Sequence, residues 1–388
     1  AAAPLAGVSG PFAAPPLSNG GARFAAEGTL AAFADAARRG LTGKARLTDA
    51  RGQTGPVRVD GITAALDLDL GLPADRVQFR RALLQLEPTA RAKNELRLTG
   101  DVDLAKPGAI SGALQLTAES LDLTRYYDLL MGDTKPVDKA PAATPAPQTE
   151  PEAMELPFGK FIVDATVGRL FLRDVNAGDV NARIALEGSR VTVEPLKLTL
   201  NGGPVSGHAK LNLGVPGYEY DFKLDAAGVG LGPVASSFVP QLAGRIGGAL
   251  QGRAEIRGAG TTGASLRQSL AGQLGFAVTN ANLSLTDPNA KRGPLMTVLD
   301  LLRAGLRIPE LTTQPIMDLA GDAKLGDGQI GLTRFVASSA SVQVETAGAI
   351  TIADDLMQSA INLPVELRLG RSLADRARLT PANTPTNV

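Results

Sequence analysis

The segment that decides the fold is ELRLTGDVDL, residues 95–104, in which apolar and charged side chains alternate. Leu96, Leu98, Val102 and Leu104 share one parity, and charged residues dominate the other. Successive side chains of a β-strand point to opposite faces of its sheet. The segment therefore predicts a strand with one apolar face and one polar face.

The same alternation recurs along most of the chain. It is found in ITAALDLDL (62–70), VTVEPLKLTL (191–200), QLGFAV (273–278), SVQVETAGAITI (341–352) and INLPVELRL (361–369). Short glycine-containing breaks such as NGGPVSG (201–207) separate these segments, and connections of this length join antiparallel neighbours. We predict a mainly β protein, a long antiparallel meander of roughly eighteen strands with a few short helices.

Three segments have the pattern of short amphipathic helices. They are TLAAFADAARRG (29–40), LDLTRYYDLLMG (121–132) and PLMTVLDLLRAGLRIP (294–309). The first two end in glycine, and the third is bounded by proline on both sides and carries one stripe of leucine and valine. Each is too short to span a membrane, and no run of 18 apolar residues occurs.

A proline-rich stretch interrupts the strand pattern at residues 133–157. It contains six prolines and no aromatic residue, so it is predicted to be an extended linker or a disordered loop. It divides the chain into two β-groove segments, residues 1–132 with the short helices and residues 158–388. Because the strand pattern is alike on both sides, a loop inserted in one continuous sheet is an equally good interpretation.

The composition excludes several kinds of site. The chain has 388 residues with no cysteine and one histidine, which excludes disulfides, thiolate zinc sites and multi-histidine metal sites. Its 39 basic and 39 acidic side chains cancel, which argues against a nucleic-acid partner. We predict no metal and no cofactor. The first residues lack the pattern of a signal peptide, so we expect the chain to be the interior of a longer protein.

Three motifs that could carry chemistry have simpler interpretations. GAGTTG, Gly258 to Gly263, matches a dinucleotide-binding fingerprint, but the preceding strand alternates and the following helix is only about seven residues long, so it predicts a glycine turn. The acidic pairs Asp67 with Asp69 and Asp101 with Asp103 lie opposite the leucines of their strands, which places them on the solvent face. His208 has no second histidine to share a metal and is predicted to be a surface residue.

The chain resembles the AsmA family in three segments. These are SGALQLTAESLDLTRYY (111–127), the stretch that begins with GGALQGRAEIRGAGTTGASLRQSL at 247 and continues to 287, and LGDGQIGL with the strands after it (325–369). In the second segment the family positions are occupied by Gly258, Gly260, Ser269, Leu270 and Gly272. Ala281 departs from the pattern, since the family usually has glycine there.

The resemblance implies a fold and a function. It implies a taco-like β-groove related to bridge-like lipid-transfer proteins, located in the periplasm and anchored to the inner membrane by a segment outside this stretch. The expected partners are a phospholipid or other acyl lipid and bacterial membranes or membrane proteins. The expected function is transport of phospholipid toward the outer membrane.

The residues themselves support an apolar ligand. A sheet with one apolar face must bury that face by curling, by packing on a second sheet, or by holding a ligand. If the face lines a lipid groove, its lining is expected to include Leu66, Leu68, Leu96, Leu98, Val102, Leu114, Leu116, Val193, Leu198, Leu200, Leu211, Leu213, Leu274, Phe276, Val342, Val344, Ile350, Ile352, Leu363 and Val365.

Two other functions remain open at this point. The same strands could close as a two-sheet β-sandwich that serves as a structural scaffold or assembly module of the envelope and binds no ligand. A β-rich hydrolase that uses the acidic pairs is the third hypothesis. We expect a protein that is not an enzyme, because no nucleophile elbow, phosphate-binding loop or catalytic constellation is recognisable in the sequence.

Overall fold

The structure is a computed structural model, which describes residues 8–12, 23–31, 40–54, 57–131, 149–238, 243–283 and 315–376. Nineteen strands and a few short helices are assigned within these ranges, so the prediction of a mainly β protein is confirmed. These described residues form two compact units. Unit 1 comprises those that lie within 1–145, 151–200 and 206–220, and unit 2 comprises those within 146–150, 201–205 and 221–388.

The described part of unit 1 contains ten strands that pair in chain order, each with the next. They are β1 Val8–Phe12, β2 Arg23–Ala31, β3 Gly40–Thr54, β4 Val57–Gly71, β5 Arg76–Leu86, β6 Glu95–Asp103, β7 Ile110–Asp122, β8 Phe158–Leu172, β9 Val175–Glu187 and β10 Arg190–Leu200. Two further strands, β11 Gly203–Asn212 and β12 Glu219–Gly230, have residues in both units.

Seven strands are described in unit 2, and they also pair in chain order, with the last two sharing one neighbour. They are β13 Ala249–Ala259, β14 Ala271–Thr279, β15 Asp318–Gly326, β16 Gln329–Ser338, β17 Val342–Thr351, β18 Ala360–Asn362 and β19 Val365–Leu369. Strands β18 and β19 both pair with β17.

The helices within the described ranges are short, as predicted. They are α1 Thr124–Met131, α2 Gly232–Phe238, α3 Gly263–Ser269 and α4 Arg371–Arg376, with a 3₁₀ turn at Leu356–Gln358. Helix α1 confirms the helix predicted within 121–132. The helix predicted over 29–40 is wrong at both ends, because residues 29–31 belong to β2 and Gly40 begins β3. The helix predicted at 294–309 lies outside the described residues.

One pairing departs from the predicted antiparallel meander. Strands β7 and β8 run parallel, with Leu114 opposite Val163 and Leu116 opposite Ala165. Parallel neighbours need a long crossover, and residues 123–157 between them provide it. The proline-rich stretch therefore connects two adjacent strands of one sheet. Of this stretch, residues 149–157 are described, and the N–H groups of Gly217 and Ile110 donate hydrogen bonds to the carbonyls of Pro151 and Pro157.

The polar face of unit 1 carries cross-strand ion pairs. The Arg81 guanidinium lies 2.9 Å from an Asp67 carboxylate oxygen on the neighbouring strand, and that of Arg183 lies 2.7 Å from Asp164. Arg76 pairs with Asp103 at 3.4 Å. The acidic side chains predicted to lie opposite the leucines are thus on the polar face, where each of these exposed pairs contributes little to stability.

A buried polar cluster fixes the loop between β5 and β6. The Asp122 carboxylate accepts hydrogen bonds from Arg91 at 2.7 and 3.2 Å, and the Asn94 amide oxygen accepts one from the backbone N–H of Asp122 at 2.6 Å. Burial alone would raise the pKa of Asp122, but hydrogen bonds from Arg91 and Thr124 outweigh it and lower the pKa to about 2. The cluster ties residues 89–94 to the end of β7 and the start of α1.

The turn at Gly258–Gly263 is held by a carboxylate from the same unit. Glu150 accepts hydrogen bonds from the backbone N–H groups of Thr261 and Thr262 at 2.8 and 3.1 Å and from both threonine hydroxyls. Thr262 is the N-cap of α3, whose seven residues confirm the predicted short helix. Hydrogen bonds from Ser265 and then Thr262 lower the pKa of Glu150 to about 2.

Gly100→Ala is expected to lower the free energy of unfolding by about 2–3 kcal/mol. Gly100 has φ +134°, and a Cβ there would come within 2.1 Å of the Ala113 carbonyl oxygen on β7. Gly108→Ala is the control, because Gly108 also has positive φ (+78°) but no atom within 4 Å of its Cβ position. Urea unfolding measures both, and equal losses would contradict the steric argument.

Glu150→Gln is expected to lower the free energy of unfolding at neutral pH by about 1–2 kcal/mol, because the charged acceptor of four hydrogen bonds is lost. The folded-state pKa of Glu150 is depressed to about 2 from 4.5, so its contribution is complete above pH 4.5 and declines as the pH falls toward 2. Unfolding curves from pH 7 to pH 2.5 should show the difference between the variant and the parent shrinking with acidity. A difference that is constant with pH would contradict this assignment.

Candidate functional site

The candidate site of unit 1 is the apolar face of its sheet, formed by rows of side chains that cross eight strands. In each row the residues lie directly opposite one another from β3 to β10, and directly opposite residues share a face. The central row is Gly43, Leu68, Ala82, Leu98, Leu116, Ala165, Ala182 and Leu196. The next row is Leu41, Leu70, Phe79, Gly100, Leu114, Val163, Ile184 and Val193.

These rows contain no polar or charged side chain. At about 4.8 Å between neighbouring strands, eight strands give each row a length of roughly 34 Å. A third row includes Leu66, Leu84 and Leu96, and a fourth includes Val77, Val102 and Phe161. We call this surface, made by the four rows, the unit 1 apolar face.

Unit 2 has an apolar face of the same kind. One row is Leu250, Val278, Leu319, Ala337, Val344 and Leu367, and another is Ile256, Gly272, Leu325, Ile330, Ile350 and Ile361. Between them, Phe276 and Phe335 flank Gly321 with their ring centroids 6.4 Å apart. A Cβ at Gly321 would lie 2.7 Å from the Phe276 ring, so glycine is what allows the two rings to pack there. These rows form the unit 2 apolar face.

Most large side chains of the two faces are only half-buried. Of the twenty residues predicted to line a groove, all are half-buried except Val342 and Ile352, which are buried, and Val365, which is 51% exposed. The buried apolar residues among those described are largely alanine and valine. Apart from Leu325, which is buried, the leucines and isoleucines of the rows are thus not enclosed as they would be in a compact core, where side chains pack at high density.

A small enclosed cluster lies at one end of the unit 2 apolar face. Leu373 of α4 is 2% exposed and packs with Val342, against which Val344, Leu367 and Leu369 also pack. Here the helix covers part of the sheet. Val342 therefore faces Leu373, whereas Val344 beside it is half-buried.

The remaining predicted residues occupy the following positions. The β9–β10 register shifts between Lys197 and Thr199, where β9 contributes one residue more than β10, and Leu200 lies opposite Ala177. Ala177 in turn lies opposite Leu170 of β8. Leu211 and Leu213 are half-buried, Leu211 in β11 and Leu213 just after it, and Leu363 lies between β18 and β19.

Several residues of these faces cannot be predicted from the alternation alone, because bulges shift it. In β5 a bulge at Arg80 and Arg81 turns both arginines toward the polar face, so that Phe79 and Ala82 lie on the same side. In β16 a similar shift puts Leu332 and Phe335 on one face. In both strands the sequence signal for a bulge is a pair of adjacent polar residues within an alternating segment.

The motifs with possible chemistry form no second site. The Gly258–Gly263 turn is occupied by the Glu150 carboxylate, and helix α3 contains only seven residues. Within the described ranges, no group of three or more histidine, aspartate or glutamate side chains is arranged to hold a metal ion. No helix in the described part of the chain is long and apolar enough to cross a membrane.

Comparison with known proteins gives one match. No curated protein and no solved structure matches the chain significantly. The family model of the AsmA family matches residues 133–307, which include β8 to β14 and the Gly258–Gly263 turn. The resemblance predicted from the sequence is therefore confirmed: residues 133–307 match the AsmA family, and this match suggests an envelope-related function.

Proposed function

We propose that this protein binds acyl lipids on its apolar faces and shields them from water while they move between the membranes of the bacterial envelope. The observation that carries the proposal is the pair of rows without polar side chains that cross eight strands of unit 1, in which the leucines are half-buried. In solution such a surface costs free energy unless it is covered. A lipid chain is a cover that can be exchanged.

The chemistry of the rows suits flexible hydrocarbon chains. Their side chains are mainly leucine, valine, isoleucine and alanine, and Phe79 and Phe161 are the aromatic members in unit 1. Each methylene removed from water contributes about 0.8 kcal/mol, so a long acyl chain gains roughly 12 kcal/mol from an apolar cover. Apolar contact is not directional, and a chain could therefore slide along equivalent rows without crossing a high barrier.

The proposal includes a geometry and a location. Each sheet is proposed to curl around its apolar face to form a groove, as strongly twisted sheets of many strands do. Phospholipid is the proposed substrate, carried between the inner and outer membranes. We place the protein in the periplasm on the basis of its family, with anchorage to the inner membrane by a segment outside this stretch. No catalytic side chain is required, and we propose that the protein is not an enzyme.

Leu116→Asp is expected to reduce lipid transfer at least tenfold. Leu116 lies mid-row between Leu98 and Ala165, and a lipid that covered this position would have to desolvate the introduced carboxylate, which costs several kcal/mol. The measurement is transfer of a fluorescent phospholipid from donor to acceptor vesicles, together with native mass spectrometry for co-purified lipid.

Thr117→Asp is the matched control, because it adds the same charge to the next residue of the same strand. Thr117 is exposed on the polar face, opposite Arg97 and Thr166, and the variant should transfer lipid like the parent. Thermal unfolding of both variants separates a blocked surface from a misfolded chain. A folded parent that neither retains nor transfers lipid would contradict the proposal and favour the β-sandwich scaffold.

A further inference from the structure

The edge of unit 2 formed by β18 and β19 has unused backbone hydrogen-bonding groups. Both strands pair with β17 in one continuous register, from Thr351 opposite Ala360 to Val342 opposite Leu369. Among the strands that the structure describes, neither has a partner on its other side. Two of the most exposed large apolar side chains of the described chain, Ile361 (69%) and Val365 (51%), lie on this edge.

The direction of the unused groups follows from the ladder. The Gly370 N–H donates to the Ser341 carbonyl, which makes this a hydrogen-bonded pair. Antiparallel pairs alternate, so Arg368 and Glu366 also bond to β17, whereas Val365, Leu367 and Leu369 direct their N–H and C=O groups away from it. The free side of β19 therefore presents three residues ready to accept another strand.

Proline does not protect this edge in the usual way. In the same alternation as Glu366 and Arg368, the backbone groups of Pro364 face β17. The N–H that Pro364 lacks would therefore have pointed toward Ala347 of β17. Its effect is to interrupt the inner ladder between β18 and β19, and the outer side keeps its donors. Edge prolines that block strand addition have the opposite orientation.

The sequence of β19, VELRL, is complementary to itself in an antiparallel pairing centred on Leu367. In that register Glu366 lies opposite Arg368 of the second copy, twice over by symmetry. Val365 lies opposite Leu369, and Leu367 lies opposite its own symmetry mate. Opposite charges at such positions are favourable, and the apolar side chains stay on the apolar face of each copy.

We propose that two copies of this chain associate through β19, in a two-fold antiparallel pairing centred on Leu367, which joins their unit 2 apolar faces into one. A shared two-fold axis is the usual symmetry of a homodimer, with the same patch used on both copies. Since five residues a side make a small interface, the dimer is weak and forms at high protein concentration. The pairing does not depend on whether the apolar faces bind lipid.

Cysteine crosslinking tests the register directly, since the chain has no cysteine of its own. Hydrogen-bonded antiparallel partners have Cα atoms about 5.5 Å apart, within the range that a disulfide spans. Leu367→Cys should give a disulfide-linked dimer under mild oxidation, and the reductant should reverse it. Val365→Cys is the matched control on the same edge and should crosslink poorly. Efficient crosslinking of Val365→Cys in place of Leu367→Cys would overturn the proposed register.

A charge exchange provides a second test that does not alter the apolar positions. Glu366→Arg places arginine opposite arginine across the dimer and should weaken association about tenfold in sedimentation velocity over a concentration series. The double variant Glu366→Arg with Arg368→Glu restores both pairs and should restore association. Within each copy it still keeps a cation beside Glu345, which Arg368 contacts at 3.3 Å in the parent.

The remaining outcomes are also decisive. A parent chain that stays monomeric at every concentration, with no crosslink at position 367, would overturn the proposal. So would association that is unaffected by Glu366→Arg. Lipid transfer measured on the same samples reports separately on the proposed function, because a monomer that transfers lipid would contradict the dimer alone.

Discussion

The structure depends on strand register being kept across many neighbours. Because side chains alternate with a period of two, a slip of one residue at any pair would move leucines to the polar face and charges to the apolar one. From β3 to β10 the register is such that Leu68, Leu98 and Leu116 stay in one row, even through the parallel pairing of β7 with β8. The apolar faces exist because this alignment is maintained.

Bulges maintain the alignment where the sequence breaks its own alternation. Without a bulge at Arg80 and Arg81, the side chains on one side of this pair would lie on the wrong face of the sheet. Instead the bulge directs both guanidinium groups to the polar face, where they meet Asp69 and Asp67. Bulges add local twist and curvature to a sheet, so the same feature that repairs the pattern also bends the strand. These bulges are therefore needed to keep the apolar side chains of each strand on one face.

Acidic and basic side chains, which are equally numerous in the chain, lie side by side on the polar faces. On these faces acidic and basic side chains of neighbouring strands form ion pairs, such as Arg183 with Asp164 and Arg253 with Asp225. Exposed pairs of this kind add little stability but they favour one register over another, since like charges would meet after a slip. Charge thus supports the register that the apolar rows require.

The sequence by itself determined the local elements of this protein. Alternation predicted the strands, glycine turns predicted their short connections, helix α1 was anticipated within 121–132, and the glycine and leucine spacing identified the AsmA family. All of these are short-range features, since they depend on the period of a strand or on the backbone freedom of glycine.

The tertiary structure decided what depends on partners distant in sequence. The parallel pairing of β7 with β8 and the Glu150 carboxylate at Thr261 and Thr262 have no local signature. Residues 29–31 also could not be assigned from local sequence. They have a helix-like composition but belong to β2, which pairs with β1 and β3. Local propensity is weak compared with a full ladder of cross-strand bonds, so pairing prevailed.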